Sequence, residues 1–110
     1  MRKSAWEKTQ EELLKERAEV LGRAGEALSL ALSDLETIGR SITERFRKAG
    51  ESPGPEILTE INGEIRHYNS AREYAQLRYF YLIVTREAMG IRRHKTVEEV
   101  YKIPPKKKYL

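Results

Sequence analysis

Leucine or isoleucine stands at every seventh position from Leu14 through Leu21, Leu28 and Leu35 to Ile42, and no proline interrupts the stretch. Seven residues make close to two helical turns, so this row lies along one side of a single long helix and calls for a second helix to cover it. A strand would turn successive members of the row to opposite faces, because strand side chains alternate with a period of two. The expected fold class is therefore all-α.

The ends of the helices are written in the residues around this row. Ser4 and Glu7 have the spacing of a capping box, which starts the first helix near residue 5, and the run continues to Lys48. Gly50 and the Ser52-Pro53-Gly54-Pro55 sequence then stop it. Residues 49–54 read as a turn, and Pro55 suits the first position of a second helix running to Met89 before Gly90. At 1.5 Å per residue the rods would be about 65 and 50 Å long, joined as an antiparallel αα-hairpin.

An inward stripe on the second helix, with Ile57, Ile61, Ile65, Tyr68, Arg72, Ala75, Tyr79, Leu82, Arg86 and Met89, matches the first row. A turn near residue 52 sets Ile42 against Ile61 and Ile65, Leu28 against Ala75 and Tyr79, Leu21 against Leu82, and Leu14 against Met89. Each long helix also carries more apolar surface than one partner covers. The first adds Leu13, Val20, Ala27, Ala31 and Ile38, and the second adds Tyr74, Leu77, Tyr81, Val84 and Ala88 on its opposite side. Two helices bury too little to stand with such faces in water, so the expected assembly is a homodimer forming a four-helix bundle with Tyr74, Leu77, Tyr81, Val84 and Ala88 at the interface. The rival expectation is that the C-terminal segment folds back over this stripe of its own chain.

Beyond Gly90, Thr96 and Glu99 repeat the capping spacing and predict a short helix over 97–102 with Val97, Val100 and Tyr101 on one face. Ile103-Pro104-Pro105 ends it, and residues 104–110 read as a frayed basic end. The charge is concentrated here. Residues 1–90 hold 14 Lys and Arg against 15 Asp and Glu, whereas residues 91–110 hold 7 against 2, so the net +4 belongs to the last segment. Arg92, Arg93, His94, Lys106, Lys107 and Lys108 are accordingly the candidate contacts to an acidic protein partner, or to a nucleic-acid backbone as the alternative. No run of the sequence is apolar enough for a membrane span, and without cysteine there is no disulfide framework or thiolate chemistry. The expected compartment is the cytoplasm.

The segment Arg86-Glu87-Ala88-Met89-Gly90-Ile91-Arg92-Arg93-His94, with Val97, Tyr101, Ile103 and Pro104 behind it, resembles a family of small bacterial proteins of unknown function. These share an Arg-Glu-Ala-x-Gly-Leu-Arg pattern and a Tyr-x-Ile-Pro close. The resemblance covers about the last 25 residues. It implies a small, all-helical, cytoplasmic bacterial protein and brings no activity with it. Ile91 in place of leucine and the lysines after the prolines depart from the pattern.

Candidate chemistry is sparse. Glu64 and His67 have the Glu-x-x-His spacing of di-iron bundles, but a 100° step per residue turns His67 about 120° from the inward face, so a metal or other cofactor is not expected. Arg72 and Arg86 interrupt an apolar row. The hairpin register brings Asp34 near Arg72 and Glu16 or Glu19 near Arg86, which suggests structural ion pairs. The tyrosines at 68, 74, 79 and 81 are helically spaced and read as core and interface, and Gly22 and Gly25 read as a place of close approach. Nucleophile, triad and nucleotide-binding motifs are absent from the sequence, so the expected role is a non-enzymatic assembly or interaction protein.

Overall fold

The computed structural model describes residues 2–110 as two long helices and one short one. Helix α1 spans Ala5–Ala49, α2 spans Pro55–Ala88 and α3 spans Lys95–Val100. The Ser4 hydroxyl accepts the Glu7 amide at 3.1 Å and so caps α1 as its sequence requires. Gly50 ends α1 at φ 78°, a left-handed conformation that costs glycine little. Pro55 then occupies the first turn of α2, where no amide hydrogen is needed.

At the far end of α2 the Gly90 amide donates to Glu87 O at 2.9 Å and the Ile91 amide to Arg86 O at 3.0 Å. This is a Schellman cap with Gly90 at φ 85° in the left-handed position. It turns the chain back toward the hairpin. The short helix begins two residues before the expected 97–102, because Thr96 is not used as a cap; His94 stands at that position, with its ring turned onto α2. Val97 is buried, but Val100 is 64% exposed and takes no part in docking α3.

The hairpin is long and thin. Its extents are 75 × 23 × 18 Å and its radius of gyration is 20.6 Å, against about 13 Å for a compact chain of this length. The core forms two clusters along the seam. One contains Ala31, Leu35, Ile42, Ile61, Ile65, Tyr68 and Ala75, and the other joins Leu28 and Leu82 to Val97 of α3, with Leu21, Ala24, Tyr79 and Tyr101 packed around them. The heptad row is buried at Leu28, Leu35 and Ile42, half-buried at Leu21, and 62% exposed at Leu14.

The expected contact between Leu14 and Met89 is therefore not made. Tyr68 lies against Gly39, and Leu28 clusters with Leu82, so facing residues sit several positions further along α2 than a turn at residue 52 implies. The end of α2 draws level with about residue 20, and every residue from 2 to 20 is exposed. About 20 Å of α1 extends past its partner helix. Among the described residues no helix is long and apolar enough to cross a membrane.

Candidate functional site

Residues 104–110, expected to fray, are pinned along α2. The Arg72 Nε–H donates to Pro104 O at 3.1 Å. Three residues on, Asn69 Oδ1 accepts the Lys107 amide at 2.8 Å while its Nδ2 donates to Lys107 O at 3.0 Å. Asn62 repeats the pattern on Leu110, at 2.8 and 3.3 Å. The spacing has a simple cause: seven helical residues rise about 10.5 Å, and three extended residues span about 10 Å. Two asparagines two turns apart thus meet every third residue of an extended chain running the opposite way, each supplying one donor and one acceptor as a paired strand would.

The tail lysines are engaged as well. Lys106 pairs with Glu73 at 3.0 Å, and the Lys107 ammonium lies 4.8 Å from the centre of the Tyr68 ring. Lys106, and then Arg72, hold the Glu73 carboxyl below the usual carboxylate range. A depressed carboxyl contributes stability above its unfolded value and loses it as pH falls through the folded one, so acidification releases this end of the clamp. Replacing Asn69 with alanine removes two bonds to a half-buried backbone and is expected to cost about 1 to 2 kcal/mol. A thermal melt, with amide exchange at Lys107 as the local reporter, checks this; unchanged exchange would exclude a pinning role for Asn69.

A second polar cluster holds the elbow after Gly90. The Arg86 Nε–H donates to His94 Nδ1 at 3.2 Å and its Nη2 to Arg93 O at 3.0 Å, while His94 Nε2 lies 3.1 Å from Glu87 Oε1. Because Arg86 can only donate, Nδ1 is the acceptor and the imidazole proton sits on Nε2, facing Glu87. Arg86 therefore serves the elbow twice, with its carbonyl in the cap and its side chain on residues 93 and 94. On the other side of α3, burial and the nearby Glu98 charge raise the Tyr79 hydroxyl above its ordinary value. Tyr101 reaches α1 where Gly25 lies, and a Cβ there would stand 3.3 Å from its hydroxyl. The close approach expected at Gly22 and Gly25 occurs at Gly25 alone, and it is made by the returning chain.

These placements revise several sequence expectations. Arg72 bonds Pro104 and Glu73, the latter at 3.1 Å, and not Asp34, which is exposed on α1; the returning tail takes the guanidinium first. Arg86 turns to the elbow and not to Glu16 or Glu19, which lie in the uncovered part of α1. Of the six candidate partner contacts, His94 is 13% exposed and committed to the elbow, and Lys106 and Lys107 are held by the chain itself. Arg92, Arg93 and Lys108 are exposed and form no ion pair among the described residues. The tail does fold back as the rival to dimerisation supposed, but it covers the side of α2 bearing Tyr68, Asn69 and Arg72. Tyr74, Leu77, Tyr81, Val84 and Ala88 stay exposed.

Glu64 is turned onto Arg45, whose Nε lies 2.8 Å from it, and His67 is exposed at the rim of an open depression lined also by Glu60 and Gly63. Among the described residues no group of three His, Asp or Glu side chains could hold a metal ion. Sequence reasoning missed Asn62 and Asn69, whose seven-residue spacing on the helix was the available signal.

No family profile, curated protein or solved structure matches this chain. Arg86, Glu87, Gly90 and His94 build the elbow, Tyr101 reaches Gly25, and Pro104 accepts from Arg72. In this chain these residues make the reversal after α2 and one end of the tail clamp.

Proposed function

We propose that the protein is a non-enzymatic assembly and interaction protein, a helical hairpin that pairs with a second copy of itself in a cytoplasmic setting. The observation that carries this reading is the stripe Tyr74, Leu77, Tyr81 and Val84, which remains exposed after the tail has folded back. Contiguous apolar side chains of this size on a helix mark a contact surface, since exposing them to water is unfavourable. The uncovered heptad of α1 supports the same reading, because it repeats the spacing of a helix seam where the chain supplies no partner.

The basic end supports a broad electrostatic surface less than its composition suggests. Lys106 and Lys107 are satisfied within the chain, which leaves Arg92, Arg93 and Lys108 to meet an acidic partner. Light scattering at micromolar concentration is expected to give twice the 12.8 kDa chain mass. Changing Leu77 and Val84 together to glutamate should reduce it to one chain mass while the helical circular dichroism persists, because both side chains already face water in the single hairpin. A double variant that stays dimeric would sink the interface.

A further inference from the structure

We propose that the uncovered N-terminal end of α1 lies along the exposed stripe of α2 of a second copy, parallel to it and reciprocally, so that each copy covers the other's stripe. The inference rests on the pairing reading above and goes further by naming what occupies the stripe. Three observations carry it.

The first is length. The uncovered apolar positions run from Trp6 to Val20 and the stripe from Tyr74 to Ala88, fifteen residues in each case, or about 21 Å from end to end. The second is register. A two-fold axis across the rods, at the open end of the hairpin, points the α1 end of one copy along α2 of the other in the same direction. Val20 then stands level with Ala88, Leu13 with Tyr81 and Trp6 with Tyr74, two rows with the same seven-residue period.

The third is charge and polar satisfaction. Residues 5–20 hold five glutamates against three basic residues, while 74–88 hold Arg78 and Arg86 against Glu87. Arg78 lies within the stripe, over the Tyr81 ring at 5.6 Å, and its buried Nε has no acceptor. In this register Gln10 and Glu7 of the second copy come level with Arg78 and the turn before it, where either can accept from the guanidinium.

The chain has no cysteine, so introduced thiols report only the contact under test. In one chain, residue 13 lies about 20 Å along the rod from residue 81, too far for a disulfide to close within the molecule. The full-length double variant Leu13→Cys with Tyr81→Cys is therefore expected to oxidise to a covalent dimer of twice 12.8 kDa. Either single variant should stay uncrosslinked. Three results would overturn the arrangement while leaving the pairing intact: a dimer by scattering with no disulfide in the double variant, efficient crosslinking of Tyr81→Cys alone, which puts stripe on stripe, or a ladder of longer covalent chains, which rules out reciprocity. Scattering at one chain mass for the unmodified protein would remove the pairing itself, and this arrangement with it.

Discussion

Replacing Leu28 with alanine is expected to cost about 3 to 4 kcal/mol and to lower the melting temperature by ten degrees or more. Leu28 is 0% exposed and belongs to the cluster where α1, α2 and α3 meet, with Leu82 and Val97. A cavity there cannot be filled from one side, because each of the three elements is fixed by separate contacts along its length. Leu30, two residues on and 65% exposed, is the matched control. The same substitution at Leu30 should change stability by no more than about 0.5 kcal/mol. Equal effects at the two positions would contradict the packing described for this end of the hairpin.

Ending the chain after Gly90 is expected to have an effect of similar size. The cut removes Val97 and Tyr101 from Leu28, Leu82 and Tyr79, and it strips the Arg72, Asn69 and Asn62 side chains of their backbone partners. Uncovering this apolar surface should cost about 3 kcal/mol. A cut after Pro105 keeps α3 and the Arg72 bond but loses both asparagine pairs and the two lysine contacts, and about 1 to 2 kcal/mol is expected. Melting the two truncations beside the full chain gives a graded series. A Pro105 truncation that melts with the full chain would mean that the pinned tail adds nothing to stability.

The helices were legible in the sequence because their causes are local and periodic. Leu28, Leu35 and Ile42 announce the seam, Ser4 and Glu7 the start, and Gly50, Pro55 and Gly90 the breaks. The tail was not legible, for a physical reason. An extended segment read through its backbone leaves no apolar period, and three lysines after two prolines have the composition of a solvated end. Arg72 misled for a related reason. The α1 and α2 register alone brings Asp34 near it, but the chain reversal at Gly90 returns a carbonyl to the same place. The reach of α2 was overstated because the turn was centred a few residues too early, and a small error in the level of facing residues leaves the whole end of α1 without cover.

The tail clamp also bears on the order in which the chain folds. Contacts between α1 and α2 grow more distant in sequence away from the Gly50 turn, so closure near Ile42 and Ile61 involves the shortest loop and is favoured to come first. Leu110 lands on Asn62, beside that early end, although the two are 48 residues apart in sequence. The clamp therefore closes a longer loop than the Gly50 turn does and is favoured to form after it. Interactions made after the rate-limiting step act on unfolding and leave folding alone. In kinetic terms the tail is a latch, and weakening it should shorten the lifetime of the native state without slowing its formation.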